Sequence, residues 1–192
     1  MADSSRGKLV VISGPSGVGK SCVVERLLQC ASVPLVLSVS ATTRPPRQGE
    51  VDGVHYHFLS DEEFAQRRKR GEFLECFEVF GRGHWYGTLL SEVTPRLEDG
   101  KWVILTIDVH GAEAVARRFP DAVTIFLRPQ SLPQLEEQLR GRKTETEQSI
   151  HRRLQEAQAE LARANQYRYQ LINDTVEHAV KQICHILAQS GG

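Results

Sequence analysis

Eight consecutive residues constrain this chain more than any others: Gly14, Pro15, Ser16, Gly17, Val18, Gly19, Lys20 and Ser21. They follow the β-branched apolar run Lys8 to Ser13 (KLVVIS), which reads as a buried parallel strand. They lead into a helical pattern that runs through Leu28. GxxxxGK[ST] between a strand and a helix is the context in which such a loop holds phosphate. The glycines let the backbone curl so that N–H groups point inward at phosphate oxygens. A helix starting at Gly19 aims its positive end at the same place. Lys20 offers a point charge to β- and γ-phosphates, and Ser21 a hydroxyl to Mg²⁺. The motif predicts a nucleoside-triphosphate site and leaves the acceptor of the phosphoryl group open.

The rest of the chain alternates strand and helix patterns. Leu35 to Val39, Trp102 to Val109, Val123 to Leu127 and Gln170 to Asn173 read as strands. Gly111 to Phe119 and Val176 to Ala188 read as helices, and Ser131 to Asn165 as a charged helical stretch broken near Gly141 to Thr144. That order predicts a parallel sheet covered by helices on both faces, an α/β fold. Between Ser40 and Thr88 the pattern changes to turns, short strands and a polar helix at Asp61 to Arg70, which reads as an inserted subdomain. His55 and His57 flank Tyr56 on what reads as a strand, so both are expected on the face opposite Tyr56.

Composition narrows the function classes. Lysine and arginine total 24 and aspartate and glutamate total 24, so no global field draws this chain to nucleic acid or to an anionic membrane. No apolar run approaches the roughly 20 residues a bilayer requires. The polar start, Met1 to Gly7, has no secretory pattern, so a cytoplasmic enzyme is expected. The four cysteines, Cys22, Cys30, Cys76 and Cys184, show no CxxC spacing and read as free thiols.

The acceptor is legible in the insert. Arg44 and Arg47 bracket Pro45-Pro46, whose fixed φ holds the two guanidiniums in one relation. Two such forks suit a phosphate monoester, although Arg-Pro-Pro-Arg taken alone also fits an ordinary surface turn. Ser40 and Tyr56 are further donors.

At this point the chain resembles the guanylate kinases. The resemblance is carried by GPSGVGKS, SVSATTRPPRQGEVDGVHYHF, GEFLE, YGT, IDVHGA, RLQEAQAELARA and LIND, from about Lys8 to about Ile183. It implies a P-loop nucleoside monophosphate kinase of three parts. These are a core (7–39, 92–130 and 166–192), a GMP-binding insert (40–91) and a lid with flanking helices (131–165). ATP and Mg²⁺ are the implied cofactors and GMP or dGMP the acceptor, with monomer or homodimer left open. Ser40, Arg44, Arg47, Tyr56 and Tyr86 fall where the family holds the GMP phosphate. Glu75 and Thr88 fall where it reads guanine, and Asp108 at an acidic position of the nucleotide site. Arg142 and Arg153 fall on phosphate-contacting arginines, and Asn173 near the adenine side.

Elementary chemistry agrees. Guanine presents N1–H and a 2-amino group side by side, and one carboxylate accepts both. Adenine presents a bare lone pair there. Two alternatives belong to other classes: a catalytically silent protein-binding module, and a P-loop kinase acting on a phosphorylated sugar. The first would lack GMP-dependent ADP release; the second would be indifferent to Glu75→Gln. Four positions depart from the family pattern. Gln138 stands where many members carry a lid arginine, with Arg140 nearby. The stretch Gly81 to Tyr86 is about two residues longer than usual and could add a contact from His84 or Trp85. Thr106 replaces an acid, and Cys22 a threonine.

Overall fold

A computed structural model describes residues 6–78, 83–141 and 146–191. Along the chain these form β1 (Leu9–Ser13), α1 (Lys20–Cys30), β2 (Leu35–Leu37), β3 (Ala41–Thr42), β4 (His57–Phe58), α2 (Asp61–Lys69), β5 (Phe73–Glu78) and β6 (Trp85–Leu89). Then come α3 (Leu90–Glu98), β7 (Trp102–Thr106), α4 (Val109–Arg118), β8 (Val123–Pro129), α5 (Leu132–Gly141), α6 (Glu147–Leu161), β9 (Tyr169–Asn173) and α7 (Val176–Ser190). They gather into two compact units. The first holds Leu35–Ala122 with the chain up to Leu9, and the second holds Val10–Pro34 with the chain from Val123 onward.

Each unit carries parallel sheet. In the first, β2 runs parallel to β7, with Leu35 opposite Trp102 and Leu37 opposite Ile104. In the second, β8 lies between β1 and β9, parallel to both, with Val10 opposite Val123 and Leu127 opposite Leu171. Parallel strands flanked by helices are apolar on both faces. All five residues of β1 are accordingly buried, as are Val103, Ile104 and Leu105 of β7. The α/β class expected from the alternating pattern is the class observed.

The first unit also builds a second sheet in the order β4-β3-β6-β5. Here β3 and β5 pair antiparallel with β6, and β3 pairs parallel with β4. Its own small core is Ala41, Phe64, Phe73 and Leu89, with Leu59, Cys76 and Trp85 packed against it. Phe64 is the buried residue of the otherwise polar α2, and its ring stacks on Phe73 at 4.4 Å between centroids. Local signals fix α2. The Ser60 hydroxyl accepts from the Glu63 N–H at 3.1 Å. Acids fill the first turn and bases the last, which complements the helix dipole.

Three local expectations change. No element is expected between Thr88 and Trp102, yet α3 lies there with Pro95 inside it. Proline argues locally against a helix. Burial of Val93 and Leu97 in the packing of α3 against β7 outweighs that cost. The apolar run Trp102 to Val109 yields a strand only to Thr106, because Asp108 caps α4 by accepting from the Gly111 N–H at 2.8 Å. Finally, the strand around Tyr56 shrinks to His57–Phe58. A turn precedes it, closed by the Gly53 N–H donating to the Tyr56 carbonyl at 2.8 Å. His55 and His57 therefore do not share one strand face.

In the second unit α5 and α6 pack through Leu135, Leu139 and Ala157, with Leu154 alongside. Arg142 and most of the expected break after Gly141 lie outside the described residues. Among the described residues no helix is long and apolar enough to cross a membrane.

Candidate active site

The phosphate loop belongs to the second unit. Strand β1 delivers the chain to it and α1 carries it away. Gly19 caps α1 at φ +91°, and a Cβ there would lie 2.8 Å from Asn173 Nδ2, so both conformation and space demand glycine. No side chain caps α1, which leaves its first N–H groups to a ligand. Lys20 Nζ donates to the carbonyls of Gly14 at 2.5 Å and Pro15 at 3.0 Å, so the ammonium sits on the loop itself. Ser21 is exposed on the first turn of α1. These are the groups a Mg²⁺-bound triphosphate requires, and the residues present fit one.

Two residues distant in sequence meet this loop. Asn173, at the end of β9, donates through Nδ2 to the Val18 carbonyl at 2.6 Å. Its Oδ1 is buried and has no partner among the described residues. This bond clamps the phosphate loop against the end of β9. Arg153, on α6, donates through Nη1 to Ser16 Oγ at 3.1 Å. Gln138 is exposed on α5. Nearby, the exposed Arg140 pairs with Glu136 at 2.8 Å and with Glu147.

The candidate acceptor pocket belongs to the first unit. A recess of about 80 Å³, open to solvent, is lined by Ser40, Tyr56, Glu75, Tyr86, Thr106 and Asp108, among others. At its base the Glu75 carboxylate is 8% exposed, and the fully buried Thr88 hydroxyl donates to its Oε1 at 2.7 Å. The register of β5 against β6 sets Glu75 opposite Thr88. Burial pushes the Glu75 carboxyl up to about 7, and the Asp108 charge adds to this, while the Thr88 hydrogen bond holds it down. A carboxylate in this state gains most from a ligand that brings two donors to it.

Tyr56 and Tyr86 meet edge to face at 6.0 Å. Burial raises the Tyr56 phenol above its ordinary value, so it stays a neutral donor. Arg44 joins this pair. Its Nε donates to the Tyr86 hydroxyl at 3.1 Å, while Nη1 and Nη2 each donate to Glu50 at 2.9 Å. Glu50 also accepts from the Arg47 N–H at 2.7 Å, so it ties both ends of the Arg-Pro-Pro-Arg turn. These bonds, Arg44 foremost, hold the Glu50 carboxyl below its usual range. The Arg47 side chain is exposed beside the turn.

Three residues that shape the site escaped the sequence. Glu50 could have been found as the acid closing the Arg44–Arg47 turn. Glu92, on α3, has no local signal. It accepts from the Val39 N–H at 3.4 Å and from Arg96 at 2.7 Å, and lies 3.0 Å from His57 Nε2. It thereby ties Val39 and His57 to α3. Gly111 packs its backbone so closely that a Cβ would lie 2.9 Å from Glu75 Oε2. Trp85, by contrast, turns into the insert's core. Its ring lies 6.0 Å from Phe64, and the Arg68 guanidinium stacks over it at 4.4 Å.

Comparison with known proteins places this geometry. The guanylate kinase family profile matches residues 6–190. A guanylate kinase of Rhodopirellula baltica is 54% identical over 94% of this chain and 87% of its own length. One from Prochlorococcus marinus is 43% identical over 94% of this chain and 96% of its own. The crystal structure of guanylate kinase from Anaplasma phagocytophilum superposes with a TM-score of 0.79 at 32% identity, covering 97% of this chain and 87% of that one. A phosphate loop, a buried carboxylate bonded by a threonine, and similarity along nearly the whole length converge, and the chain belongs to the guanylate kinase family.

Proposed function

We infer that this chain transfers the γ-phosphoryl group of ATP to GMP, or to dGMP, giving ADP and the corresponding nucleoside diphosphate. The observation that carries the choice of acceptor is Glu75, buried, bonded by Thr88 and lining a recess with Ser40, Tyr56, Tyr86 and Asp108. Guanine donates N1–H and N2–H to one carboxylate, whereas adenine leaves that carboxylate unpaired. An unpaired buried group costs about 1–3 kcal/mol.

The division of labour follows from the side chains. Gly14 to Ser21 hold the ATP phosphates through backbone N–H groups and the α1 N-terminus. Lys20 exchanges its loop carbonyls for phosphate oxygens and neutralises charge on the transferred group. Ser21 is the residue that would hold Mg²⁺, which supplies further charge neutralisation when bound with ATP. Arg153, reaching the loop from α6, adds a cation there, and Arg142 is assigned the same task by its place in the sequence. Asn173 keeps the loop in shape and borders the adenine side. On the acceptor side Ser40, Tyr56 and Tyr86 donate to the GMP phosphate together with Arg47. Arg44 acts there through its charge and through the hydroxyl it orients. The GMP phosphate is itself nucleophilic at neutral pH, so no strong general base is required. The three-part division into core, insert and lid, and a cytoplasmic location, belong to the same proposal.

The test is ADP release with Mg²⁺-ATP and each of GMP, dGMP, AMP, CMP and UMP in turn. Turnover with the guanine nucleotides alone is the expected result. Equal turnover with AMP would remove Glu75 as the base reader. Tight GMP binding without turnover would instead mark the chain as a binding module.

A further inference from the structure

Two of the four scattered cysteines meet in space. Cys30 is the last residue of α1 and Cys184 lies within α7, and the two helices pack together. Their Sγ atoms are 4.0 Å apart across 154 residues of sequence. Both are free thiols, Cys30 exposed and Cys184 half-buried. A disulfide of about 2.05 Å brings the two sulfurs closer than this contact. Cys22 offers Cys30 no such partner, because eight residues along one helix separate the two by about 12 Å.

We propose that Cys30 and Cys184 form a reversible modification site, an intramolecular disulfide made by exchange with a small disulfide of the glutathione class. The exposed Cys30 reacts first. Its thiolate attacks one sulfur of glutathione disulfide, that S–S bond breaks, and one glutathione thiolate leaves. The Cys184 thiolate then attacks the Cys30 sulfur and expels the second glutathione. The protein gives up two electrons and two protons, and both reappear on two glutathione thiols. Burial and the adjacent Cys30 push the Cys184 thiol up to about 11, so the closing step speeds up as pH rises.

The bond would act on stability rather than on chemistry. It closes a very long loop in the unfolded chain, where a crosslink is most effective. It also sits at the far end of α1 from the phosphate loop, about 15 Å along the axis from Lys20. The oxidised protein is therefore expected to keep its activity within about twofold and to melt on the order of 10 °C higher.

The experiment exposes the reduced full-length protein at pH 8 to glutathione mixtures of rising oxidised share. Alkylation of the remaining thiols, peptide mapping, a melting curve and ADP release are then read together. The expected result is loss of two thiols in a Cys30–Cys184 peptide and a rise in Tm that dithiothreitol reverses. Cys184→Ser should stop at a glutathione adduct on Cys30, while the Cys22→Ser/Cys76→Ser double variant should still close the bond. A wild-type protein that keeps all its thiols, or halts at the Cys30 adduct, would overturn the proposal. So would a disulfide that forms without moving Tm.

Discussion

The phosphate loop takes eight consecutive residues and uses mostly their backbone. The recess around Glu75 takes single side chains spread from Ser40 to Asp108, carried by a loop, a turn, three strands and a helix cap. In the loop, Gly19 serves by what it lacks, since its φ of +91° and the nearby Asn173 amide leave no room for a Cβ. In the pocket, Glu75 serves by what it carries, and its value depends on Thr88 opposite, Asp108 nearby and Gly111 close behind. A site made of backbone is specified by local sequence and reads any phosphate. A site made of side chains is specified by register and packing, and it can tell one base from another.

The sharpest break between the two sites should come from Lys20→Ala. It removes charge stabilisation from the transferred group and should lower kcat by about 10²–10³ while leaving GMP binding, measured by calorimetry, near wild type. Weakened GMP binding to the same extent would mean that the two sites are not independent.

The next effect in size is on pH. Guanine's donors require the ionised Glu75, whose carboxyl is raised to about 7 in the free protein. Protonation is therefore favoured below neutrality, and GMP affinity should rise as pH increases through 7. Between pH 6 and 8 the ionised fraction grows roughly tenfold, and KM for GMP should fall to match. The GMP phosphate titrates near 6 as well, so Glu75→Gln is the control that separates the two. A wild-type profile as flat as that of the variant would remove Glu75 from base recognition.

The smallest effect is expected from Gly111→Ala. A Cβ 2.9 Å from Glu75 Oε2 displaces the carboxylate, so kcat/KM for GMP should drop several-fold, about 1 kcal/mol. KM for ATP should be unchanged. A uniform loss with both nucleotides would point to a folding defect rather than to misplacement of the base reader.

The phosphate loop was legible because strand, glycines and lysine are contiguous, and each acts through its neighbours. Helix α2 was legible for the same reason, through Ser60 and its ordered charges. Helix α3 was not, because Pro95 argues against it locally and only packing against β7 sustains it. Glu75 and Tyr86 were found through family resemblance, and Arg44 through the rigid Pro45-Pro46 turn beside it. The engagement of Arg44 by Glu50 instead of by open solvent, and the tie of Glu92 to Val39 and His57, came only with the fold.

By itself, then, the sequence determined the α/β class and the phosphate loop. Backbone conformation, helix caps and apolar periodicity are short-range effects that neighbouring residues settle among themselves. Tertiary structure alone decided that the Glu75 carboxylate would be buried against Thr88 and Gly111, that Asn173 would clamp Val18, and that Cys30 would meet Cys184. Each of these depends on burial and on partners brought from distant parts of the chain. Desolvation and close contact have no counterpart in the order of residues.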